Sequence, residues 1–214
     1  MIIKKLFFLS SLLLTSIAYS QTENDAKLVN IPSSNPLDIS YEKWILPNGL
    51  TVLIHEDKSD PLVQVHVTYH VGSNRETAGK SGFAHYFEHM MFQGSENVAD
   101  ERHFKIINDA GGNMNGNTTS DRTVYFQTIP SNYLETALWL ESDRMGFLLD
   151  AVTDEKFENQ RDAVKNEKYQ NQISQQYGMR NEILGQSLYP PSHPYNWPVI
   201  GYVDDLDRAT SDDL

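Results

Sequence analysis

Between Leu62 and Val71 a β-favouring apolar residue stands at every second position: Val63, Val65, Val67, Tyr69 and Val71. Alternate residues of a strand point to opposite faces, so this stretch reads as a strand with one face buried. His66 and His70 share its other face. Four strand residues span about 13 Å, too far to clasp one ion, and both read as sheet-surface histidines. The rest of the chain is read around this strand. Tyr41–Leu46 and Leu50–His55 flank Pro47-Asn48-Gly49, a hairpin signal. A helix is predicted from Asp100 to Ala110, with Phe104, Ile107 and Ala110 inward, stopped by Gly111-Gly112. Two extended runs follow, Asn113–Thr119 and Thr123–Ile129, and then a helix from Asn132 to Leu148 with Leu134, Leu138, Met145 and Leu148 inward. Thr153 caps a long helix reaching about Ser174, with Asp154 and Glu155 in the first turn, where the helix dipole favours them. A short amphipathic helix, Tyr177–Leu188, leads into a proline-rich loop, and Ser211 to Leu214 reads as the first turn of another helix. Strands, helices and strands again, without regular βαβ alternation, predict an α+β domain with a mostly antiparallel sheet and helices packed on one face.

Lys4 and Lys5 precede the apolar run Leu6–Ile17 and the small residues of Ala18-Tyr19-Ser20. That order describes a secretory signal peptide over residues 1–20, and hence an exported protein, periplasmic or secreted. The run is too short to span a bilayer, so no membrane anchor is expected after cleavage. Residues 21–40 read as a flexible lead-in and residues 41–214 as one domain. The formal charge of −12 argues against a nucleic-acid partner. The chain has no cysteine, so it has no disulfide, and any zinc must be held by His, Asp or Glu.

The chemistry concentrates in His85-Tyr86-Phe87-Glu88-His89, within a stretch, Ser81 to Gly94, that reads as a helix with Ser81 as its cap. Residues four apart share a helix face, about 6 Å between Cβ atoms, so His85 and His89 can present ring nitrogens to one ion. Glu88 borders the same face, where a general base acting on water would stand. Two helix histidines beside a surface glutamate give the same pattern, and only a third ligand separates the two readings. Gly79-Lys80-Ser81 resembles the end of a phosphate-binding loop, but Asn74 stands where its first glycine belongs, so no nucleotide site is read there.

The long helix offers a candidate for the third ligand. Its inner face steps through Phe157, Gln160, Val164 and Glu167. Burying an unpaired carboxylate costs several kcal/mol, which a metal would offset. Taken alone, Glu167 also reads as a solvated helix end beside Lys165 and Lys168; beside an incomplete two-histidine site, the ligand reading is preferred. His193, in the proline-rich loop, reads as a packing or hydrogen-bonding residue.

Several of these stretches together resemble the amino-terminal domain of the zinc peptidase family that includes pitrilysin, insulin-degrading enzyme and the mitochondrial processing peptidase. They are Leu46-Pro47-Asn48-Gly49-Leu50, the helix from His85 to Gly94, Gly111-Gly112-Asn113-Met114-Asn115, Asp121 to Phe126, Arg161 to Glu167, and His193-Pro194-Tyr195. The resemblance runs from about Tyr41 to Leu214. It implies that His85, His89 and Glu167 bind Zn2+, that Glu88 is the base, and that Asn115 lies beside a peptide or small protein substrate held as an added strand. Many relatives carry a glutamate where this chain has Gln160; the amide can hydrogen-bond to a ligand but adds no charge. Family members are built of two halves, and this chain corresponds to about one unit of one half, as in a truncated product. The expectation is therefore a zinc-dependent endopeptidase. The alternative is a zinc- and peptide-binding fragment or subunit without turnover unless a second homologous half is supplied.

Overall fold

The structure is a computed structural model that describes residues 26–29 and 39–213. Residues 1–20, read as a signal peptide, lie outside the described residues, as does most of the lead-in. The chain forms two units, Met1–Asp60 and Pro61–Leu214.

The first unit contains β1 (Lys27–Leu28), β2 (Glu42–Ile45) and β3 (Thr51–Ile54), in an antiparallel sheet of that order. The predicted hairpin is β2–β3, and Lys27 and Leu28 add a short strand within the expected lead-in.

The second unit is built on an antiparallel sheet of order β4-β6-β5: β4 is Leu62–Tyr69, β5 Asn113–Thr118 and β6 Thr123–Pro130. Val63, Val65, Val67 and Tyr69 lie opposite Ile129, Gln127, Tyr125 and Thr123 of β6, all four of them buried. The period-two pattern thus becomes the core face, while Leu62, Gln64, His66 and Thr68 are exposed. His66 stacks on Phe126.

The helices are α1 (Phe83–Met90), α2 (Arg102–Asp109), α3 (Leu134–Phe147), α4 (Asp154–Lys168), α5 (Arg180–Leu188) and α6 (Val203–Arg208). Val98, Ile107, Ala137 and Leu140 pack with Ile129 against Val63 and Val65. A second cluster joins α1, α4 and α6 through Tyr86, Met90, Phe157, Val164, Ile200 and Leu206. The antiparallel α+β architecture is the one predicted.

Three local expectations are corrected. On α2 the residues turned fully inward are Ile107 and His103, whereas Phe104 is 39% exposed and stacks on Phe92. On α3, Leu134, Leu138 and Met145 are exposed, and the buried face carries Ala137, Leu140, Glu141 and Arg144. A polar partner decides that face. Gln127 of β6 donates to Glu141 (2.9 Å), which pairs with Arg144, whose guanidinium lies 4.2 Å from the centre of the Tyr125 ring. The charges satisfy one another, so the helix buries them and leaves leucines in solvent. Finally, Ser81 does not cap α1. Its amide and hydroxyl both donate to Asp205 of α6 (3.0 and 2.6 Å), a helix absent from the sequence reading. The N-cap position is Gly82, and the Glu76 carboxylate, from the preceding loop, accepts from the amides of Gly82 and Ala84 at 2.9 Å each.

Candidate metal centre

Helix α1 brings His85 and His89 one above the other, their ring centroids 4.8 Å apart. Helix α4 supplies Glu167 from the last turn before it widens into a π-helical turn, Tyr169–Ile173. Apolar packing holds the two helices together: Tyr86 and Phe157 meet edge to face at 4.9 Å, and the Tyr86 hydroxyl donates to the Phe157 carbonyl.

The Glu167 Oε2 lies 3.6 Å from His85 Nε2 and 3.3 Å from His89 Nε2. Donor atoms at zinc–ligand distances of 2.0–2.1 Å in tetrahedral array stand about 3.3 Å apart, so these gaps match a shared ion closely. One donor atom from each residue falls within 4.8 Å of the other two, and this is the one such group among the described residues. Burial and then the neighbouring His89 pull the His85 imidazole down to about 4, leaving it neutral with a free lone pair. His85 Nδ1 is buried without a partner. On His89 burial pulls the same way, but the Glu167 carboxylate, with Gln160 and Glu88, outweighs it and raises the pKa. The hydrogen bond with His89 in turn lowers that of Glu167. Gln160 sits two turns before Glu167, its Oε1 3.3 Å from His89 Nδ1. That contact fixes the ring so that Nε2 faces Glu167.

Glu88 is 7% exposed, and burial pushes its pKa upward against the Thr118 hydroxyl, which donates to Oε2 at 2.5 Å. The other oxygen is reached across Gly116 of β5: a Cβ there would stand 2.7 Å from Glu88 Oε1 and 3.0 Å from the Phe92 ring. Any side chain there would push the Glu88 carboxylate or the Phe92 ring aside, so glycine leaves both where they stand. Sequence reading missed both Thr118 and Gly116. Their signal was the alternation of β5, in which Gly116 and Thr118 are half-buried while Asn115 and Asn117 are exposed. Asn115 lines the same cleft of about 630 Å³ as His85, Glu88, His89 and Glu167, and its Oδ1 accepts from the Gly116 amide at 2.9 Å. His193 stays outside that cleft: it stacks on Tyr189 and accepts from the Tyr195 amide, as the sequence implied.

Residues 51–191 match the family model described as insulinase, peptidase family M16. The chain belongs to that family. It is 32% identical to the zinc protease PqqE of Helicobacter pylori across 99% of this chain and 45% of that protein. It is 26% identical to a probable mitochondrial-processing peptidase subunit beta of Arabidopsis thaliana across 79% of this chain and 31% of that one. Among solved structures, a protease from Helicobacter pylori superposes with a TM-score of 0.76 at 32% identity, over 81% of this chain and 41% of that one. Pitrilysin shares the fold, with a TM-score of 0.74 at 24% identity, over 86% of this chain and 20% of that one. The chain therefore spans less than half the length of these M16 relatives.

Proposed function

We propose that this chain carries the catalytic metal centre of an exported zinc-dependent endopeptidase. The observation that carries the reading is the convergence of His85, His89 and Glu167, from two helices, at separations suited to one tetrahedral ion. Two imidazoles and one carboxylate are a donor set that zinc accepts, and three protein ligands leave a fourth position open. Held by His85, His89 and Glu167, zinc would supply Lewis-acid activation of the attacking water and of the scissile carbonyl.

The side chains supply the rest. Thr118 holds Glu88 by Oε2, leaving Oε1 on the Gly116 side to take the proton of the attacking water. Burial raises the pKa of Glu88 above the ordinary carboxylate value, which makes it a stronger base. The carboxylic acid then returns its proton to the leaving amine as the peptide bond breaks. The substrate is a peptide or small protein. Among the described residues β5 pairs only with β6, which leaves its other edge to receive an extended peptide beside Asn115.

Zinc content and peptide cleavage, measured on wild type and Glu88→Gln, test this. The variant should retain zinc and lose about 10²–10⁴-fold in rate, the usual worth of a general base. Unchanged cleavage would remove Glu88 from the mechanism. The chain's share of its relatives' length favours a second reading, a subunit that binds zinc and peptide but turns over only with a homologous second half. Full activity of the purified chain would exclude it.

A further inference from the structure

The residue after Glu167 is a buried lysine that the mechanism does not use. Lys168 is 2% exposed, and an ammonium so placed must be paired to be tolerated. Its Nζ donates to Glu182 Oε2 of α5 at 2.9 Å and to the Gly201 carbonyl at 2.6 Å, and lies 5.6 Å from the centre of the Tyr202 ring. The Gly201 loop is pressed in turn against the start of α1. Gly201 has φ +83, and a Cβ on it would stand 2.5 Å from the Ser81 carbonyl oxygen and 2.7 Å from Gly82 Cα. The Tyr202 amide donates to Ser81 Oγ at 2.9 Å, and Ser81 is bonded to Asp205. An unbroken path of contacts therefore joins the residue beside Glu167 to the residues just before His85.

The location explains why a tether is needed. Regular α-helical geometry ends at Lys168, and Tyr169–Ile173 continue as a π-helical turn. Glu167 thus sits where the helix changes pitch, and the backbone ladder beyond it takes the wider i→i+5 spacing.

We propose that Lys168 is a positioning residue for the metal centre. Through Glu182 and Gly201 it fixes the last turn of α4 against the start of α1, and so sets the gap between Glu167 and the two histidines. The inference rests on the reading that these three residues hold zinc. Its test is the zinc dissociation constant, by competition with a chromophoric chelator, together with the visible spectrum of the cobalt-substituted protein. Lys168→Met removes the donors and keeps the bulk. It should remain helical by circular dichroism, bind zinc about 10-fold more weakly or worse, the usual effect of losing a group that supports a ligand, and shift the cobalt bands. Glu182→Gln keeps an acceptor for the ammonium and should weaken zinc about threefold, below the roughly 10-fold low end of that range. A folded Lys168→Met with wild-type affinity and an unchanged cobalt spectrum overturns the proposal. Should that variant not fold, unchanged affinity in Glu182→Gln overturns it. Wild-type protein that binds no zinc would instead bring down the metal reading itself.

Discussion

His103 predicts an acid sensitivity that can be worked out numerically. The residue is 0% exposed on α2, and neither ring nitrogen has a hydrogen-bond partner. Burial, and then the Arg144 guanidinium, pull its pKa down from 6.5 to about 4; the Leu140 backbone and Asp143 pull the other way without a well-formed bond to the ring. The unfolded chain therefore takes up a proton below pH 6.5 that the folded chain refuses until about pH 4. Stability from this group is complete above pH 6.5 and is lost as pH falls through that window. Between pH 6.5 and about 4, at about 1.36 kcal/mol per pH unit, this costs about 3 kcal/mol in full, of which about 2.5 kcal/mol is lost by about pH 4.5. That is a large share of the 5–15 kcal/mol typical of a domain. The perturbation is His103→Leu, which removes the titration at similar volume, and the assay is urea unfolding of both proteins at about pH 7.5 and about pH 4.5 with metal chelated. Carboxylates protonate in both, so only the difference of differences counts. Wild type should lose about 2.5 kcal/mol more than the variant between the two pH values. Equal losses would refute the assignment of His103 as a neutral buried imidazole.

Thr118→Val removes the donor to Glu88 Oε2, so the Glu88 pKa should rise and the acid limb of the kcat/KM profile should move to higher pH, while Thr118→Ser keeps it in place. An unmoved limb in the valine variant would show that the hydroxyl does not act on the base. Arg144→Met strands the buried Glu141 and should destabilise the fold by about 3–5 kcal/mol, seen as a lower urea midpoint. Tyr86→Phe loses the hydroxyl that bonds Phe157 between α1 and α4 and should lower stability by about 1 kcal/mol in the same assay.

Much of the fold was legible because its signals are local. The alternation from Val63 to Tyr69 survives as one face of β4, and Thr153 caps α4 through a bond from the Lys156 amide. Where two helix faces competed, hydrophobicity alone misled. On α3, Leu134 and Leu138 of the apparent stripe are exposed, because a charge pair matched to Gln127 of β6 claimed the buried side along the helix, while Leu148 at its end is buried as expected. Such pairing depends on a strand remote in sequence and leaves no periodic trace.

The same division runs through the candidate site. Spacing along one helix places His85, Glu88 and His89 on adjoining faces, since the pitch is set by backbone geometry that any helical segment shares. The sequence alone therefore determined two imidazoles and a neighbouring carboxylate on one helix, along with an antiparallel α+β scaffold to carry them. Tertiary packing decided the rest: Glu167 at 3.3–3.6 Å from both imidazoles, Gln160 on His89, Thr118 and Gly116 around Glu88, and Lys168 bracing the last turn of α4. Those separations come from how Tyr86, Phe157 and Val164 fill the space between two helices, a property of volumes and contacts that no single segment contains.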